Sequence, residues 1–527
     1  KMLRRHRLPP RLLQPCRRWA AVAGDALASL ATVTPGQPLS CSDLQGVLRT
    51  IARTGTLHSL QQVEADPRWE HVMSQLQQQL ARGDRGQVEA LARRLSGIRK
   101  DLPGLREAAV VLEGRVSSGL FDAQWTPDAL SRVALALSLR NTGGAALQNQ
   151  LIDAAASQLR TFSPWDLERL LRALYLWRNR DANFVALVVE EVTDRAEEFE
   201  PMEAAKTLQT MHRLGVVRGF AIRRLSNIVL SNRHHLGPTL MVKTLRAVVQ
   251  MRFWSLEEVD EVMDVLQHHI QRFNAPMAAD LLFSLASLDY ENDAVLAGLL
   301  TQFLGRGGLE PGHSFASDTK RCVEVAWALC AWRRKDLQPQ LVECVTALTG
   351  RLKKEREKQV VFPALVLFKE VMVAGRTQWQ NCLDIPDDLT ASADQAALLE
   401  QTRALHSRLH AAVDQALERC SVGHNSRWER NVLVGSYYVD FRDAETGQVV
   451  IVDTPSRASR LGILRKRHLE SALSGVVAAG RPRVAVVDFW EWRWVSRTTT
   501  DADQYLLGLL GRRAAHMDHG AEDTFKD

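Results

Sequence analysis

Residues 163–181, SPWDLERLLRALYLWRNRD, decide how this 527-residue chain is read. Pro164 suits the first position of a helix, where its missing N–H costs nothing and its fixed φ is already helical. Ser163 stands before it as an N-cap. Leu167, Leu170, Leu171 and Leu174 follow at i, i+3, i+4 and i+7, the apolar face of an amphipathic helix. The same pattern recurs at Pro127, Pro201 and Pro238, each 37 residues from the next, and at Pro276, one residue later than the interval demands. Thr126 is the cap before Pro127. At the same four offsets from these prolines stand Leu130/Val133/Ala134/Leu137, Ala204/Thr207/Leu208/Met211, Met241/Thr244/Leu245/Val248 and Ala279/Leu282/Phe283/Ala286.

A second helical segment follows each of these, as in FVALVVEEVTDRAEE (184–198) and LEEVDEVMDVLQHHIQRF (256–273). A later unit, VAWALCAWRRKD (325–336), echoes LLRALYLWRNRD (170–181) after a glycine-rich insertion at 305–314. A fixed period of this length predicts an α-solenoid of helix pairs sharing one core, over residues 121–355. Residues 40–120 read as a helical cap lacking the proline register. Residues 356–420 read as a helical connector with an acidic insertion, DIPDDLTASA (384–393), and one long helix over about 392–420.

From residue 421 the period changes. YYVDF (437–441), QVVIVD (448–453) and RVAVVDF (483–489) are short and rich in Val and Tyr, as strands are. SRLGILRKRHLESALS (459–474) and DADQYLLGLLGRR (501–513) read as helices. Strand, strand, helix, strand, helix predicts a small α/β domain over 421–513, followed by a tail, 514–527. The fold class expected is therefore mostly α, a solenoid with a C-terminal α/β domain.

That C-terminal segment resembles the RAP domain. The residues that carry the likeness are Val439-Asp440-Phe441, Asp453-Thr454-Pro455, the basic helix Leu464–Leu473, Val484–Val487, Glu491-Trp492 and Tyr505-Leu506-Leu507. The preceding repeat is similar to the heptatricopeptide arrays that accompany RAP domains, and the layout is that of the FAST-kinase-domain family. The resemblance implies a restriction-endonuclease-like fold for the domain, and organellar RNA binding as its work: processing, stability, translation or rRNA scaffolding. A metal-dependent nuclease of this fold needs two acids and a lysine. Asp440 and Asp453 could supply degenerate versions of the acids. However, Ile451 stands where the family often has Glu, Pro455 where the lysine would be, and Thr454 in place of the turn's usual Gly. No catalysis, no metal and no cofactor are expected.

Charge supplies the RNA candidates. The chain carries a net +6, and residues 1–24 hold Lys1, Arg4, Arg5, Arg7, Arg11, Arg17 and Arg18 without one acid, so the rest is close to neutral. Such an arginine-rich, acid-free stretch has the composition of a mitochondrial targeting segment, and residues 1–39 form a basic tail suited to RNA phosphate. Five positions after each proline stand Arg132, Arg169, Lys206 and Lys243, and at eight Arg172 and Arg246. A ladder of like sign on stacked units would follow a phosphate backbone without reading sequence. In the C-terminal domain Arg457, Arg460, Arg465, Lys466 and Arg467 surround the basic helix, beside His468. Trp490, Trp492 and Trp494 could stack bases, but core packing is the expected role of Trp492. His234-His235 and His268-His269 are adjacent pairs and splay apart on a helix, a poor metal geometry.

Other classes fall away. No uncharged apolar run reaches the ~18 residues of a membrane span. The seven cysteines contain no CxxC pair. No P-loop, Gly-x-Gly-x-x-Gly or nucleophile elbow is present, so no small-molecule substrate is expected. The expected function is a non-catalytic RNA-binding protein of the mitochondrial matrix, a structural subunit of the mitochondrial ribosome contacting rRNA and neighbouring subunits. The alternatives are a free RNA processing, stability or translation factor, a metal-dependent RNA endonuclease, and a protein-only helical scaffold.

Overall fold

The structure, a computed structural model, describes residues 28–53, 62–98, 102–119, 125–178, 181–216, 218–305, 315–355, 362–378, 383, 385–405, 407–421, 427–453, 463–473, 484–488, 492 and 498–510. The chain is predominantly helical, with a small four-stranded mixed sheet near its C-terminus, and it divides into two compact units, 1–203 and 204–527.

In the first unit the helices are α1 (Cys41–Arg53), α2 (Pro67–Arg82), α3 (Arg85–Leu95), α4 (Leu105–Ser117), α5 (Pro127–Leu139), α6 (Ala145–Ala156), α7 (Pro164–Trp177) and α8 (Ala182–Asp194). Alternate helices stack: α1 on α3, α2 on α4, α3 on α5 and α5 on α7. Between them lies one apolar core that includes Leu48, Leu76, Leu91, Leu112, Val133 and Leu137. The prolines do what the reading expected. Pro127 and Pro164 open α5 and α7, and the hydroxyls of Thr126 and Ser163 accept from the backbone N–H groups of Ala129 and Asp166.

The chain passes into the second unit along α9 (Pro201–Leu214). There follow α10 (Gly219–Ser231), α11 (Pro238–Gln250), α12 (Leu256–Leu266), α13 (Ala275–Ser287), α14 (Asp293–Gly305), α15 (Phe315–Trp332), α16 (Gln338–Glu355), α17 (Phe362–Gln378), α18 (Asp387–Leu405) and α19 (Arg408–Ser421). Here too alternate helices stack, α11 on α13, α13 on α15 and α15 on α17. Pro238 opens α11, whereas α13 starts one residue before Pro276, with Asn274 as its cap.

Then come β1 (Trp428–Val434), β2 (Tyr437–Asp443), β3 (Val449–Asp453), α20 (Ile463–Ala472), β4 (Val484–Asp488) and α21 (Thr499–Leu509). The strands lie in the order 1-2-3-4, antiparallel from β1 to β3 and parallel between β3 and β4. One face packs on α19 and α21 through Val413, Leu417, Phe441, Val450, Val487 and Leu506. The other packs on α20 and α17 through Leu469, Leu473, Val449, Ile451 and Val373. Burial on both faces is why β3 and β4 read VVIVD and VAVVD, without the alternation of a half-exposed strand.

Four details add to or differ from the sequence reading. The long helix over 392–420 is two helices, α18 and α19. The acidic segment at 384–393 becomes helical from Asp387, since Asp387 and Asp388 occupy a first turn, where the helix dipole favours acids. α19, which the sequence reading places in the helical connector, covers one face of the sheet. β1 is an additional strand that the residue pattern did not announce.

Candidate nucleic-acid interface

The helical cations are mostly committed within the protein. In the first unit Arg132 donates its Nε to Asp128 at 2.6 Å, and Arg169 donates Nη1 to Asp166 at 2.6 Å and to Asp128 at 3.2 Å. Arg93 of α3, which sequence reasoning did not single out, donates to the other oxygen of Asp128 at 2.8 Å. Burial pulls the pKa of Arg132 down, and the charge of Arg169 pulls it further than Asp128 can restore. Arg172 is half-buried.

In the second unit Lys206 is half-buried and Lys243 exposed. Arg246 lies within the stack: it pairs with Asp280 of α13 and, at 2.6 Å, with Glu324 of α15, whose side chain is 3% exposed. Burial alone would lower the pKa of Arg246, but Glu324 and Asp280 more than offset it and hold the guanidinium above the ordinary arginine value. Arg246 is thus a strut between three helices, its guanidinium held by an acid on each of the two neighbouring ones.

The basic helix α20 divides in the same way. Arg465 is buried, donating to the backbone carbonyl of Tyr438 and at 3.4 Å to Gln401 Oε1. Arg467 donates to Ala331 O at 2.6 Å and Asp289 at 3.2 Å, placing a cation at the C-terminal turn of α15, where the dipole favours it. His468 is buried too; its Nδ1 lies 2.9 Å from the Tyr437 hydroxyl. Burial, with Arg333 and Arg467 nearby, pulls its pKa down to about 4. The ring is therefore neutral at pH 7 and shares one hydrogen bond with the tyrosine hydroxyl. Lys466 alone of residues 465–468 is exposed. Arg457, Arg460 and the tail cations Arg4, Arg5, Arg7, Arg11, Arg17 and Arg18 lie outside the described residues, as do Trp490 and Trp494. Trp492 is buried, edge-on to Tyr505 with ring centroids 5.9 Å apart, which is the core role expected of it.

The two acids have different positions. Asp440, fully buried in β2, accepts from the Val452 N–H at 2.7 Å and from Gln401 Nε2 at 2.8 Å. The β2–β3 pairing runs through Phe441 and Arg442 and stops there, so the carboxylate takes over the next rung of the ladder. His410, stacked on Phe441 with centroids 4.6 Å apart, brings its Nε2 to 3.6 Å from Asp440 Oδ1. Asp453 ends β3, and its Cα partner across the parallel pair is Asp488, the last residue of β4, which sequence reasoning passed over.

Neither a family model nor a curated protein sequence matches this chain. The site must therefore be judged on its geometry. A polar cavity of about 30 Å³ opens between α17, α18, β2 and α20, lined in part by Lys369, Glu370, Gln401, Tyr437 and Arg465. It has room for a water or two and not for a nucleotide. Among the described residues no group of three or more His, Cys, Asp or Glu is placed to hold a metal ion, and no helix is long and apolar enough to cross a membrane.

Proposed function

We propose that this chain is a non-catalytic RNA-binding protein of the mitochondrial matrix. In this reading a solenoid of helix pairs with a 37-residue register carries a RAP-like α/β domain of restriction-endonuclease-like type, and the whole serves as a structural subunit of the mitochondrial ribosome. The observation that carries the non-catalytic half is Asp440. Both of its oxygens are taken by protein donors, and its place in the sheet is that of a missing ladder bond. A carboxylate used in this way joins strands. The RNA half is supported by the unbalanced charge of residues 1–24, by the exposed Lys243 and Lys466, and by the RAP-like order of elements.

Phosphate contacts made by such cations set affinity and leave base identity unread. Binding of the full chain to a single-stranded oligouridylate is expected to weaken steeply with salt, by a log–log slope of about 0.7 per phosphate contact. Absence of binding at low salt would remove the RNA reading in favour of a helical scaffold. Co-sedimentation with ribosomal subunits that survives high salt separates a subunit from a free RNA factor.

A second reading, a metal-dependent RNA endonuclease, draws on the pairing of Asp453 with Asp488 at adjacent strand ends. It requires cleavage with Mg²⁺ or Mn²⁺ that is lost in both Asp453→Ala and Asp488→Ala. No cleavage is expected.

A further inference from the structure

Three guanidinium groups from three helices of the first unit converge on one carboxylate. Arg93 (α3), Arg132 (α5) and Arg169 (α7) all reach Asp128, and Asp166 is the second acid of the group. Asp166 is already occupied: its Oδ1 also accepts from the Ser131 hydroxyl at 2.8 Å, and its Oδ2 accepts from the Ser163 N–H and hydroxyl as part of a capping box. The cluster therefore has three fixed positive charges, one carboxylate shared between them, and one committed to a helix cap.

We propose that Arg93, Arg132 and Arg169 form a phosphate-binding cluster on the first unit, which Asp128 holds in place and for which it competes, and that the ligand is the phosphodiester backbone of single-stranded RNA. This rests on the RNA reading given above and adds the site. Arg93 is 52% exposed and Asp128 37%, against 21% for Arg132 and 16% for Arg169, so the cluster is open on the Arg93 side and anchored on the other. Among the described residues each arginine commits one of its three guanidinium nitrogens to these acids, which leaves paired N–H donors of the kind that grip a phosphate. Burial, and then the crowding of Arg132 by its neighbouring cations, lowers the Arg132 pKa in keeping with this shortage of negative charge. An arriving phosphate supplies the missing charge, and because Asp128 already orients the side chains, little rotamer freedom is lost on binding.

The test titrates the full chain with a single-stranded oligouridylate across a salt series, with circular dichroism to check the fold. Arg93→Gln and Arg132→Gln should each flatten the log–log slope by about 0.7. Asp128→Asn should tighten binding severalfold, because the competing charge is gone. Should Arg132→Gln or Asp128→Asn fail to fold, Arg93→Gln decides, since its side chain is largely in solvent. Wild-type binding with an unchanged slope in Arg93→Gln overturns the cluster while the RNA reading stands. If the chain ignores oligouridylate but binds inorganic tripolyphosphate, and loses it in Arg93→Gln, the phosphate cluster stands and the RNA reading falls. Equal competition by polyglutamate would reassign the surface to an acidic protein and overturn the proposal.

Discussion

Replacing Asp440 by Ala removes the acceptor of two buried donors at once, the Val452 N–H and the Gln401 side-chain amide. Each buried donor left without a partner costs about 1–3 kcal/mol. Part of this is recovered by relieving the cost of burying a carboxylate, which leaves a net loss of about 3 kcal/mol localised where β2 parts from β3. At about 1.4 kcal/mol per decade, that is roughly a hundredfold increase in local opening. Hydrogen exchange at the Val452 amide reads it directly, with Val450, which sits in the intact part of the ladder, as the internal control. Asp440→Asn is expected to show a smaller increase, because one oxygen still accepts while the new amide faces a donor. Exchange at Val452 unchanged from wild type in Asp440→Ala, with the sheet intact, would refute the idea that this carboxylate completes the ladder. It would also reopen Asp440 to a catalytic role.

Two further perturbations follow from the buried charges. His468 is neutral in the native state, with its pKa pulled down to about 4, while the unfolded chain takes up a proton near 6.5. Stability is therefore full above pH 6.5 and falls by about 3 kcal/mol as the pH drops from 6.5 to 4; a denaturation series should show this loss shrinking in His468→Gln. Arg246→Met leaves Glu324 buried without its main counter-ion and should destabilise the second unit by about 3–5 kcal/mol at neutral pH. Burial then raises the Glu324 pKa unopposed by Arg246, so the variant should gain stability as the pH is lowered, and Glu324→Gln in the same chain should restore much of the loss.

Local chemistry is what the sequence displays openly. A proline at a helix start and a hydroxyl before it act within four residues, so Pro127 and Pro164 with Thr126 and Ser163 announced α5 and α7 without any knowledge of the fold. β1 was hidden because WERNVLV is an edge strand with mostly exposed side chains, held by pairing with β2 rather than by an apolar pattern. The break between α18 and α19 was hidden because the apolar spacing continues through it.

The cationic ladder failed to reveal its partners for a related reason. The acids that engage Arg169 and Arg246 include Asp128, Asp280 and Glu324, which stand 34–78 residues away in sequence. A count from each proline gives the face a residue occupies on its own helix, yet it says nothing of the acids on the helix stacked against that face. Arg93 had no such register at all, and the one local hint was an acid, Asp128, in the first turn of α5.

The most direct measurement is a map of ultraviolet crosslinks between the full chain and bound RNA, resolved to peptides. Crosslinks are expected in residues 1–24, in peptides containing Arg93 and Arg132, and in those containing Lys243 and Lys466, with none at Arg246, which Asp280 and Glu324 hold. RNA that crosslinks nowhere along the chain, or only around Asp453 and Asp488 with metal-dependent cutting, would contradict it.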